Sequence, residues 1–95
     1  MTPASPELAS LRAEIDGLDE RIVALLAERI AVVHRVARHK TDETAVRAPD
    51  RVQQVVDRVR ALADGHGIPA DLVEKVYRLL IAELTELELD TFGRP

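Results

Sequence analysis

The residues best suited to chemistry are three cations spaced along one helical stretch. Arg29 occupies a place in an apolar heptad row where a hydrophobic side chain belongs, and an arginine is almost never buried without a partner. Lys40 follows eleven positions later, a rotation of only about 20° and an axial step of roughly 16 Å. Two long side chains on one face are thereby set to converge on one small anion. Arg12 precedes Arg29 by seventeen positions, about 100° round the helix and about 25 Å along it. Within one chain it cannot reach the same ligand. Across an antiparallel pair of helices it can, so the geometry reads as an active site shared between two protomers. Taken singly, each cation is ordinary: Arg29 can lay its stem along a core and lift its charge to the surface, and Arg12 and Lys40 can be solvated. The combination carries the reading. Glu88, four residues after Leu84 and one after Leu87, stands at the edge of an apolar row, and by itself it reads as an exposed acid beside Glu86.

Other chemistries find no support in the pattern. His34 and His39 are five apart, so they face different ways on a helix, and His66 is remote; no metal is implied. No Ser or Cys is set beside a His at a tight turn, and no Gly-rich loop follows a strand. Nucleophilic and nucleotide chemistry therefore have no support. The net charge of −4 offers no excess of cation for a phosphate backbone, which argues against nucleic acid. One Tyr and one Phe give no stacking platform for bases. With 46% hydrophobic and 32% charged residues, the chain has the balance of a soluble globular protein, and its apolar runs are too interrupted to span a membrane. It has no cysteine and no amino-terminal leader pattern, so a cytoplasmic location is expected.

The elements that must position these residues are helices. Ser5, Pro6 and Glu7 read as a helix start, since Ser caps a free amide, Pro loses nothing at the first position and Glu complements the dipole. Leu8, Leu11, Ile15, Leu18, Ile22 and Leu25, then Val32 and Val36, recur in steps of three and four. The first helix is predicted to run to Lys40, about 35 residues and roughly 50 Å. A polar stretch over 41–48 ends it. Pro49 opens a short second helix with Val52, Val55, Val59 and Leu62 inward, and Gly65, His66 and Gly67 break it. After Pro69 a medium third helix is expected to bury Leu72, Val76, Leu80, Leu84 and Leu87 before Gly93. The fold class is all-α, with long, short and medium helices in a single domain of residues 1–95, the first five disordered. A 50 Å helix cannot bury its stripe against the residues that follow, so a homodimer built around it is expected.

The run from Leu11 through Arg12, Ile15, Asp16, Leu18 and Asp19 to Arg29, then Val36 to Lys40, resembles the first helix of the all-helical chorismate mutases (type II). The likeness continues through Arg51 and the His66-Gly67 break to the end of the third helix. It implies an intertwined homodimer and a pericyclic rearrangement of a small dicarboxylate, without cofactor or covalent step. By this resemblance Arg12 of one chain, with Arg29 and Arg51 of the other, holds the substrate carboxylates, and Lys40 donates to the ether oxygen as its C–O bond breaks. Ala48, Val52, Leu84 and Glu88 complete the expected substrate contacts, with Glu88 catalytic beside Lys40 and Arg29.

The sequence departs from the family at those last positions. Well-known mutases have acids where Ala48 and Val52 stand, to hold the ring hydroxyl, and usually Gln where Glu88 stands. The segment Ala48-Pro49-Asp50-Arg51-Val52 is similar to two side branches, the isochorismate-pyruvate lyases of salicylate formation and the 4-amino-4-deoxychorismate mutases, which have a Glu matching Glu88. The reading places a mutase of the amino substrate first and chorismate mutase second. The lyase follows, and a non-catalytic helical dimerisation module comes last.

Overall fold

The structure, a computed structural model, describes residues 5–39 and 43–91. Among these described residues four helices follow one another: α1 (Pro6–Ala37), α2 (Glu43–Arg47), α3 (Pro49–Gly65) and α4 (Ala70–Thr91). No strand occurs among the described residues, and none of the helices is long and apolar enough to cross a membrane. The fold class is therefore all-α, as expected. The chain divides into two compact units, Met1–Val33 and His34–Pro95. The expectation of disorder at the extreme amino terminus concerns residues that, apart from Ser5, lie outside those described.

The first unit consists of most of α1. Its start follows from local chemistry: the Leu8 amide donates to the Ser5 hydroxyl at 3.1 Å, Pro6 opens the helix, and Glu7 lies in the first turn. The 32 residues of α1 extend about 48 Å. Helical hydrogen bonding ends at Ala37, where the His39 amide donates to the Val36 carbonyl at 2.9 Å, so the helix stops short of the predicted Lys40. The apolar stripe is real and largely bare, with Leu11, Ile15, Leu18, Ile22 and Leu25 each at least half exposed.

In the second unit α3 and α4 pack on each other, and α2 packs on α4. The polar stretch over 41–48, expected only to end the first helix, contains a helix of its own, the five residues of α2, in which Val46 gains a buried place. Ala48 turns the chain from α2 into α3 with φ 33° and ψ 65°, in the left-handed region, a conformation that costs an L-residue about 1–2 kcal/mol. Pro49 then begins α3. At the other end Gly67 takes φ 70°; its amide donates to the Asp64 carbonyl, and the Ile68 amide donates to the Ala63 carbonyl. These paired bonds satisfy carbonyls that the helix leaves open.

The core of this unit contains Val56, Val59 and Ala63 from α3 and Leu84 and Leu89 from α4. Complete burial of the valine and leucine side chains contributes roughly 1.5–3 kcal/mol each. Two expected rows need correction. Leu62 on α3 is exposed, as are Leu72, Val76 and Leu87 on α4. A row advancing in steps of four turns about 40° per step, so Leu72 and Val76 lie off the strip that α3 covers. That strip passes through Leu84 and Glu88, with Val73, Tyr77 and Ile81 half-buried. Charged groups tie the same pair together. Arg60 Nη1 donates to Asp71 Oδ1 and Glu74 Oε1, both at 2.8 Å, and Arg78 Nε donates to Glu74 Oε2 at 2.7 Å. Hydrogen bonds from Arg78 and then Arg60 lower the Glu74 pKa against the opposing effect of desolvation; those to Asp71 and Glu74 raise that of Arg60.

Candidate active site

Each unit carries its own share of the expected site residues. On α1, Arg29 is half-buried within the apolar stripe, while Arg12 is exposed. Both ride on one continuous helix, so their separation of about 25 Å along the axis is fixed by helical geometry. Lys40, the expected donor to the ether oxygen, lies outside the described residues.

The second unit holds Ala48, Arg51, Val52, Leu84 and Glu88. Leu84 and Glu88 stand one turn apart on the inward face of α4, at 6% and 4% exposure. Glu88 is thus no surface acid like its neighbour Glu86, which is exposed. Among the described residues it is the buried charged group, and a carboxylate is seldom so enclosed unless it is paired, as Glu88 is within the chain. Arg51, on the first turns of α3, is exposed and donates from Nη1 to Gln54 Oε1 at 3.5 Å. Val52, the next residue, is half-buried.

Val52 lines a cleft of about 260 Å³ with Arg47 from α2. Its α4 wall is made by Arg78, Ile81, Ala82, Thr85 and Glu86. The cleft therefore includes one of the expected site residues and sits beside two more, since Ile81 and Thr85 share the face of α4 that bears Leu84 and Glu88. Arg51 and Ala48 are not part of its lining. Arg47, Arg78, Ile81 and Thr85 are not singled out by the sequence reading. For Ile81 and Thr85 a signal exists, because both fall within one or two turns of Glu88 on the same face. For Arg47 and Arg78 there is none, as each is one arginine among many until α2 and α4 come together.

No group of three or more His, Cys, Asp or Glu side chains able to hold a metal occurs among the described residues. Helices throughout the described residues, arginines along them and a carboxylate turned inward put the chain in the class of small all-α proteins with charged groups carried on helix faces. Comparison with known sequences narrows that class. A family model described as chorismate mutase type II matches residues 11–89, and the chain belongs to that family. It is 34% identical over 83 residues to a 4-amino-4-deoxychorismate mutase of Streptomyces venezuelae, covering 86% of this chain and 81% of that one. It is 32% identical over 76 residues to a chorismate mutase of Methanocaldococcus jannaschii, covering 79% and 77% respectively. A bifunctional chorismate mutase/prephenate dehydratase of Escherichia coli K12 matches at 34% identity over 84 residues, 87% of this chain but 22% of the longer protein.

Proposed function

We propose that the protein is an isomerase catalysing the pericyclic Claisen rearrangement of 4-amino-4-deoxychorismate or chorismate to the corresponding prephenate. The observation that carries this reading is the likeness, over four-fifths or more of both chains, to a 4-amino-4-deoxychorismate mutase. Ala48 and Val52, apolar where well-known mutases have acids, and the buried Glu88 favour the amino substrate over the hydroxyl one.

In this reading the whole of residues 1–95 is one domain, and two copies form an intertwined homodimer. The half-exposed stripe of α1 supports the dimer, because a row of that length left in water is an interaction surface. Arg29 and Arg51 of one protomer and Arg12 of its partner hold the two carboxylates and confine the substrate to a reactive conformer. Lys40 donates to the ether oxygen as negative charge grows there, and its positive charge stabilises the transition state more than the ground state. Ala48, Val52 and Leu84 shape the wall around the ring, and Glu88 accepts the ring ammonium when the ring is turned toward α4. A cytoplasmic setting completes the reading, since the chain has no cysteine that would require an oxidising compartment.

The deciding experiment offers the purified protein chorismate, isochorismate and 4-amino-4-deoxychorismate in parallel between pH 5 and 8, with products identified by mass spectrometry. Rearrangement of the amino compound with poor use of chorismate is the expected result. Fast conversion of chorismate assigns the protein to chorismate itself. Release of pyruvate from isochorismate assigns it to the lyases, and no turnover of any of the three leaves a helical dimerisation module.

A further inference from the structure

We infer that Thr85 is a substrate-binding residue that, beside Glu88, receives the polar substituent of the substrate ring, in place of the acids that positions 48 and 52 do not supply. The inference rests on the reading of the chain as a mutase of chorismate or its 4-amino relative. Its basis is the cleft in which Val52 of α3 and Thr85 of α4 are both wall residues. If the ring enters between these helices, the α3 side offers its hydroxyl or ammonium only the hydrocarbon of Val52. Such a polar group costs free energy when it leaves water without a hydrogen bond, so a partner is needed from the α4 side.

Among the described residues lining the cleft, Thr85 is the one neutral side chain that hydrogen-bonds. The charged ones have other engagements. Arg78 is held through Nε by Glu74, which Arg60 holds in turn, and Arg47 and Glu86 each have interactions within the chain. A hydroxyl both donates and accepts, so Thr85 serves a ring hydroxyl as either partner and a ring ammonium as acceptor. It is half-buried, which makes its hydrogen bond worth more than one at a fully wet surface. It also precedes Glu88 by three positions, about 60° round and 4.5 Å along α4. A ring held at Thr85 therefore lies within one helical turn of the buried carboxylate.

The test measures KM and kcat of the wild type, Thr85→Val, Thr85→Ala and Thr85→Ser with chorismate and with 4-amino-4-deoxychorismate. Valine keeps the branched shape and removes the hydroxyl, alanine removes both, and serine keeps the hydroxyl alone. The expected outcome is a KM raised about tenfold in both Val and Ala variants, exceeding any fall in kcat, with Ser within about threefold of wild type; loss of binding common to ground and transition states has this signature. Thr85→Val or Thr85→Ala with wild-type KM overturns the inference, as does Thr85→Ser impaired as much as Thr85→Val, which would assign the role to the methyl group. In both cases an active wild type leaves the underlying reading standing. A wild type that neither binds nor converts either compound overturns both together.

Discussion

The two compact units bury their apolar residues in opposite ways. In His34–Pro95, α3 and α4 cover each other, and Val56 and Leu89 are 1% and 2% exposed. In Met1–Val33 a single helix carries an equally regular stripe, yet Ile22 and Leu25 are 54% and 61% exposed. Similar periodicity thus has two outcomes. One stripe is satisfied by the chain's own next helix, and the other is completed, on the reading proposed above, by a second chain. The candidate site is divided in the same way: Arg12 and Arg29 belong to the bare stripe's helix, and Glu88 belongs to the packed pair.

A charge placed on the bare stripe breaks that comparison most severely. Ile22→Asp sets a carboxylate in the stripe that the proposed dimer covers, so assembly and turnover are both expected to be lost. Light scattering and an activity assay check this; a dimer of wild-type size would show that the stripe is not the seam. On the packed side, Leu89→Ala leaves a cavity and is expected to cost about 2–5 kcal/mol of stability, read from urea unfolding. Because binding of a second copy stabilises only the folded form, the wild-type melting temperature is also expected to rise with protein concentration.

Arg29→Ala separates chemistry from packing within the stripe. A lost contact to developing charge raises the barrier by about 3 kcal/mol, or 10²-fold or more in rate. Turnover is expected to collapse while circular dichroism and size remain those of the wild type. Retention of wild-type rate would remove Arg29 from the site.

The smallest effect is expected in the Arg60–Glu74–Arg78 ties of the packed pair. The Glu74 pKa is lowered in the folded protein, so its contribution to stability is present above the ordinary carboxylate range and is lost as pH falls through the lowered value. Glu74→Gln is therefore expected to melt slightly below wild type at pH 7, with the difference closing below about pH 4. A gap that stays constant on acidification would mean that Glu74 acts by packing rather than charge.

Much of this architecture is legible in the residue order. Ser5 and Pro6 mark the start of α1, Pro49 that of α3, and the Gly65-His66-Gly67 break the end of α3, because capping and chain reversal depend on residues close in sequence. The arginine within the stripe is equally visible, since periodicity needs only the order of residues. The inward face of α4 is not legible. Leu72, Leu80 and Leu84 look alike in sequence, and a helix with apolar residues on more than half its circumference does not declare which strip its neighbour will cover. The helix within 41–48 escapes a sequence reading for the same reason, as Val46 is stabilised there by α4 and not by its neighbours in sequence.

The sequence by itself determined α1, α3 and α4, the starts of α1 and α3, the end of α3 and the arginines on α1, since hydrogen bonding within a helix and spacing along it are local. Tertiary structure alone decided that Glu88 is enclosed while Glu86 is exposed, that Ala48 takes a left-handed turn, and that Val52 and Thr85 face one cleft. Burial depends on which strip of α4 meets α3. That choice is made by the packing of side chains far apart in the chain, and no local rule contains it.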